Sequence, residues 1–251
     1  MPKVKLLKST LLILLMSAIS THAETGVDLP GQPSEAVQHI HPAYAVVPDD
    51  PALPRVLLIG DSISIGYTAP AREALQGKVN LHRIPANGGD TQRGLEQLAD
   101  WLDPKLGSWD LIHFNWGLWD LCYRNPEAET QGNRDKVHGT LTSTSEVYAT
   151  NLETLVQQLQ KTGAQLIFAT TTPVPEGEIG RIVGDDLVYN RTAREVMARH
   201  GIPVNDLNKV MAGKMAQFAR APGDVHFTPE GSELLGAAVA NAITRELAKQ
   251  P

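Results

Sequence analysis

Apolar positions along the chain repeat in two rhythms. Arg55-Val-Leu-Leu-Ile59 is a short run of consecutive apolar residues that stops at Gly60-Asp61, the pattern of a strand buried on both faces and ending in a loop. Residues 79–84, 111–114, 165–170 and 202–204 read the same way, which predicts five strands. Between them the spacing is helical. Leu95, Leu98 and Leu102 recur at three and four, and Leu152, Leu155, Val156 and Leu159 follow a Ser143…Glu146 capping box and are closed by Gly163. Tyr189, Ala193, Val196 and Met197 mark a further helix, and Thr228-Pro229 opens the last, with Leu234, Leu235, Ala238, Val239 and Ile243. This alternation predicts an α/β fold on a doubly wound parallel sheet. Polar residues 123–142 interrupt it and predict an insertion over one edge of the sheet.

The amino terminus follows neither rhythm. Lys3, Lys5 and Lys8 precede apolar residues 11–19, and Thr21-His22-Ala23 puts small residues where a signal peptidase reads them. Residues 1–23 are therefore expected to be a cleaved signal peptide, with a mature periplasmic or secreted protein starting at Glu24. The apolar run is about half of a membrane-spanning helix and no cysteine follows it to take a lipid, so no membrane anchor is expected. Residues 24–54, rich in Pro and Asp, are expected to form an extended arm, and residues 55–251 one domain.

Charge and composition narrow the partners. The 251-residue chain has a net charge of −6, and loss of three lysines with the signal takes it to −9, which argues against nucleic acid or an anionic membrane as partner. The single cysteine, Cys122, makes no internal disulfide and reads as a small buried hydrophobe. His39 and His41 lack a third ligand or carboxylate nearby, and no Cys/His cluster has zinc-ligand spacing, so no metal site is expected.

In an open parallel sheet, ligands bind beyond the carboxyl ends of the strands. Four polar blocks occupy such places: Gly60-Asp61-Ser62-Ile63-Ser64, Asn87-Gly88-Gly89-Asp90-Thr91, Asn115-Trp116-Gly117-Leu118-Trp119-Asp120, and Asp224-Val225-His226 before the last helix. All four are expected to meet at one rim. A serine hydroxyl becomes a nucleophile when a neighbouring imidazole takes its proton, which makes Ser62 and His226 candidates. Acyl transfer also needs donors where an oxyanion develops, and the Gly89 N–H and the Asn115 amide suit that task. Each residue has a plainer explanation alone: Ser62 as a helix cap, Gly88-Gly89 as a turn, Asn115 and Asp224 as loop and turn residues. Their joint occurrence in this order is what those explanations leave unaccounted. Ser64 lies further into the turn and is the weaker nucleophile, and His113, inside a buried strand, reads as a core histidine.

The ordered blocks GDS at 60–62, NGGDT at 87–91, NWGLWD at 115–120 and DVHFTPEG at 224–231 resemble those of the SGNH, or GDSL-type, hydrolases, over about residues 55–247. The resemblance implies a flavodoxin-like, three-layer α/β/α fold with a five-stranded parallel sheet, and a serine esterase or acylhydrolase working without metal or cofactor. It implies Ser62 as nucleophile and first oxyanion donor, Gly89 as second donor, Asn115 as third and His226 as base; Asp224, from the fourth block, is the candidate for the acid that orients His226. Two positions depart from the family pattern. Trp119 stands in the asparagine slot of the third block, so the third donor is either Asn115 or the Trp119 indole, which can only donate. Gly223 stands where the family has its aspartate, three before the histidine, and Asp224 sits two before, which leaves a triad or a Ser62–His226 dyad.

Trp116, Trp119 and Tyr123 are placed to stack on a sugar or line an acyl pocket. The expected reaction is hydrolysis of an acyl or acetyl ester of a small molecule, glycan or lipid. An acyltransferase on the same serine, and a non-catalytic carbohydrate-binding protein on the same fold, are the alternatives.

Overall fold

Each apolar run becomes a strand because a β-segment covered by helices on both faces has no side to give to water. The computed structural model describes residues 41–249, so the expected signal peptide and residues 24–40, His39 among them, lie outside it. The strands are β1 (Arg55–Ile59), β2 (Asn80–Arg83), β3 (Leu111–Phe114), β4 (Tyr123–Arg124), β5 (Thr140–Leu141), β6 (Gln165–Ala169) and β7 (Val204–Asn205). Five form a parallel sheet in the order β2-β1-β3-β6-β7, with Leu57 opposite both His82 and Ile112 and Phe114 opposite Phe168. Setting aside β4 and β5, this is the flavodoxin-like order, with its switch point between β1 and β3. Helices α1 (Ser62–Ala74), α2 (Thr91–Trp101), α3 (Ser145–Gln160), α4 (Asp185–Arg199), the short α5 (Leu207–Met211) and α6 (Met215–Phe218), and α7 (Pro229–Leu247) complete the chain. On one face α1 packs on α7, which reaches β3, β6 and β7; α2, α3 and α4 pack in a row as the third layer. No helix among the described residues is long and apolar enough to cross a membrane.

Several local expectations shift. Helix α1 escaped the periodicity because Gly66 and Pro70 interrupt its apolar spacing. The cap of α3 is Thr144, whose Oγ1 accepts the Val147 N–H at 3.4 Å, because the Ser143 backbone is already committed: its N–H donates to the Asp120 carbonyl at 2.9 Å and its carbonyl accepts the Tyr189 hydroxyl. On α7 the buried face is Leu235, Val239, Ala242 and Ile243, while Leu234 is exposed.

The described part of the arm does not lead away from the domain. His41 caps a 3-10 turn at Pro42–Tyr44, Ala43 is fully buried, and Arg72 donates to the Pro42 carbonyl at 2.8 Å. The Asn80 amide holds the carbonyls of Asp50 and Leu53 at 2.9 and 3.0 Å, so packing on the β2 edge begins well before residue 55.

Residues 123–142 also sit elsewhere than expected. β4 and β5 pair as an antiparallel ribbon, which is tied to a second loop by Tyr123 N–H to the Gly180 carbonyl (2.7 Å) and Lys136 N–H to the Ile179 carbonyl (2.8 Å). The ribbon thereby covers the rim at the strand ends rather than an edge of the sheet, and its residues line the cavity described next.

Candidate active site

The β1 strand ends at Ile59, and after Gly60 the Asp61 carboxylate turns the chain into α1 by accepting the Ile63 N–H at 2.9 Å. Ser62 is thus the first residue of a helix, where the backbone N–H has no intrahelical acceptor. Its hydroxyl is 2.9 Å from His226 Nε2, and His226 Nδ1 is 2.7 Å from Asp224 Oδ1. With the ring hydrogen on Nδ1, His226 donates to Asp224 and accepts from Ser62. The Asp224 oxygen also accepts the His226 backbone N–H at 3.0 Å. Partial burial raises the Asp224 pKa, but the two hydrogen bonds from His226 and the charges of His226 and Arg220 outweigh it and hold the carboxyl below its ordinary value.

Gly223 explains why the carboxylate stands two residues before the histidine. It adopts φ +76°, and a Cβ there would lie 2.6 Å from the Gly177 carbonyl oxygen, so no aspartate fits at that position. The loop is closed by the Arg220 N–H donating to the His226 carbonyl at 2.9 Å, and then enters α7 through the Thr228 cap and Pro229.

The second block comes as close to the first as backbone allows. Gly88 N–H donates to the Gly60 carbonyl at 2.9 Å, and a Cβ on Gly88 would stand 2.9 Å from that carbonyl carbon. The Gly89 N–H donates to Asn87 Oδ1 at 3.0 Å. Block three locks block two: buried Asp120 accepts the Thr91 N–H at 3.0 Å and its hydroxyl at 2.5 Å, while Asn151 donates to that hydroxyl at 3.0 Å. Burial pushes the Asp120 carboxyl up to about 7, against the Thr91 hydrogen bonds and with help from the Asp90 charge.

The two candidates for the third donor are placed differently. Asn115 is buried and gives one amide hydrogen to the Ala169 carbonyl at 2.7 Å, tying β3 to β6 and leaving the other hydrogen available. Trp119 lines the cavity that holds Ser62 and His226. Trp116, expected near the rim as a substrate contact, is instead fully buried, with its indole N–H on the Gly88 carbonyl at 3.2 Å. Ser64 also faces inward, donating to the Asp61 carbonyl at 2.7 Å and accepting from Arg83 at 2.7 Å. His113 is fully buried, accepts from the Asn205 amide at 3.1 Å, and is pushed down to about 4 by burial, so it is a neutral core imidazole.

The cavity encloses about 180 Å³, is lined by Asn87 of the second block, and brings in residues that the four blocks do not contain: Arg124 and Arg134 from the ribbon region, and Arg181. Glu178, fully buried, bridges Arg134 and Arg181 at 2.9 Å each. These residues are scattered over the sequence, so no motif announces them.

The chain can be compared with known proteins on this footing. Similar solved structures include a lipase/acylhydrolase from Enterococcus faecalis (23% identity over 77% of this chain and 96% of that one, TM-score 0.61) and an acetyl xylan esterase (17%, 75% and 99%, 0.60). A catalytic mutant of an acetylxylan esterase from Geobacillus stearothermophilus is also similar (17%, 76% and 94%, 0.59). At such identities the likeness speaks for the fold. No match is found among curated proteins. The GDSL-like lipase/acylhydrolase family model, however, matches residues 58–234, well over half of the chain and spanning all four blocks, and the chain therefore belongs to that family of ester hydrolases.

Proposed function

We propose that the protein is an exported serine esterase that removes short acyl groups, acetyl foremost, from a carbohydrate or another small alcohol. The observation that supports this most is the unbroken hydrogen-bonded chain Ser62–His226–Asp224, opening into a cavity of about 180 Å³. Ser62 gives its proton to His226 Nε2 as Oγ attacks the ester carbonyl, and Asp224 favours the imidazolium that forms. The oxyanion takes hydrogen bonds from the Ser62 and Gly89 N–H groups, the latter displacing Asn87 Oδ1, and from the second Asn115 amide hydrogen. His226 returns the proton to the leaving alkoxide. Water then attacks the acyl-enzyme, its proton passing to His226 and on to Ser62 Oγ as the carboxylic acid departs.

Size supports a short acyl group. The cavity is smaller than the roughly 300–1,000 Å³ of pockets that enclose drug-sized ligands. Two of the similar solved structures are, by name, acetyl xylan esterases, which makes acetylated glycans the first substrates to try. Export rests on the charged, apolar and small-residue regions of residues 1–23, and intact-mass measurement of secreted protein should give a chain starting at Glu24. Nucleic acid and membrane lipid headgroups are disfavoured by the net charge.

A fluorophosphonate should label the peptide containing Ser62, and an aryl ester series should show acetate turned over faster than octanoate. Labelling that survives Ser62→Ala would overturn the assignment. Transfer of acetyl to an added sugar in preference to water would recast the protein as an acyltransferase.

A further inference from the structure

The esterase chemistry leaves one part of the cavity unused. Three arginines, Arg124, Arg134 and Arg181, line the same space as Ser62 and His226, in a chain whose net charge is −6. Framework needs account for one of them. Arg181 is buried, donates to the Leu118 carbonyl at 2.7 Å and to Glu178 at 2.9 Å, and so fixes the third block beneath the cavity. Arg134 shares that single carboxylate, at 2.9 Å, and uses its Nε on the Gln131 carbonyl at 3.0 Å. Arg124 has no carboxylate partner among the described residues. Its guanidinium lies over the Trp119 ring at 4.5 Å from the centroid, and one of its nitrogens donates to the Gly132 carbonyl.

A guanidinium carries five N–H donors, so Arg124 and Arg134 keep several unassigned. The other acids near the nucleophile do not neutralise them. Asp224 is committed to His226 by two hydrogen bonds, and Asp61 is fully buried beneath Ser62 in a setting that disfavours its charged form. Stacking on Trp119 holds the Arg124 plane in place before any ligand arrives, which reduces the ordering cost of a planar, two-point contact.

We propose, on top of the esterase reading, that these arginines select esters whose alcohol half bears an anionic oxyacid group, with a carboxylated sugar as the first class. The acyl carbonyl would sit at Ser62 while the anion meets Arg124 and Arg134. Sulfated and phosphorylated alcohols share this chemistry, and the test separates them.

The test compares kcat/KM for 4-acetoxybenzoate and its neutral methyl ester, and for acetylated glucuronate and acetylated glucose. The anionic member of each pair should lead by about tenfold or more, mainly through KM, as one charge-assisted hydrogen bond to a guanidinium implies. Raising salt from 0.05 to about 0.5 M should shrink that lead. Arg124→Gln should bring the ratio close to one, and Arg124→Lys should recover only part of it, because the charge returns without the planar fork. Inhibition by free sulfate or phosphate at concentrations where benzoate has no effect would move the assignment to those anions.

Equal turnover of anionic and neutral members, unchanged in Arg124→Gln, would overturn the inference and leave the esterase standing. If no ester of either kind is cleaved, the esterase reading fails. In that case calorimetric titration with glucuronate still decides this one, requiring binding by the full chain and at least tenfold weaker binding by Arg124→Gln. Thermal melts of both variants guard against mistaking unfolding for lost selectivity.

Discussion

Replacing Asp224 with asparagine isolates the charge that the His226 ring leans on. Asparagine keeps an oxygen to accept the His226 backbone N–H, so the turn that places the imbedded contact of 3.0 Å survives while the carboxylate is lost. The cost can be worked from the site. Two unit charges about 4 Å apart are worth about 4 kcal/mol at an effective dielectric of 20 and about 1 kcal/mol in bulk water. Both side chains of the pair are 29% exposed, which puts the imidazolium formed during attack between these limits. A value of roughly 2–3 kcal/mol corresponds to a fall in kcat of about 30- to 150-fold. An asparagine that turns its NH2 toward Nδ1 would add to this, because it stabilises the tautomer whose Nε2 cannot accept the Ser62 proton. The assay is steady-state hydrolysis of a neutral aryl acetate by wild type, Asp224→Asn and His226→Ala. KM should barely move, since the charge matters in the transition state and not in substrate binding. A kcat for Asp224→Asn within about threefold of wild type, with His226→Ala inactive, would refute the reasoning and leave a Ser62–His226 dyad.

Other outcomes follow from the same geometry. Fluorophosphonate labelling should vanish in Ser62→Ala and persist in Ser64→Ala, because the Ser64 hydroxyl is turned inward between the Asp61 carbonyl and Arg83, as peptide mapping would show. Gly223→Ala should destabilise the fold by about 1–3 kcal/mol in a denaturant melt, from the positive φ and the clash with the Gly177 carbonyl, and should depress kcat by displacing Asp224. Asp120 titrates at about 7 in the folded chain against 3.8 unfolded, so its folded form holds a proton that the unfolded chain releases. Stability from this group is complete below pH 4 and is lost as the pH rises through 7. Relative to Asp120→Asn, the wild type should lose on the order of 4 kcal/mol between pH 4 and 8, and parallel curves for the two proteins would contradict the assignment.

Periodicity alone was enough for the sheet and for most helices, because a strand buried on both faces must be apolar at every position and an amphipathic helix must repeat near 3.6. It was not enough for α1, where Gly66 and Pro70 break the repeat and only packing against α7 shows the helix. The four blocks and their order were legible too, since ligand-binding residues in such a sheet must follow strands. Distance was not legible. Ser62 and His226 are 164 residues apart, and only the sheet order brings Oγ and Nε2 to 2.9 Å. The two-residue spacing of Asp224 and His226 left its geometry open until the left-handed backbone at Gly223 was in place. Trp116 and Trp119 look alike in the sequence, yet the fold buries one under Gly88 and puts the other in the cavity. The arginines were least legible of all. Arg124, Arg134 and Arg181 meet because backbone hydrogen bonds at Tyr123 and Lys136 fasten the ribbon to the loop holding Glu178, a long-range pairing that no local pattern encodes.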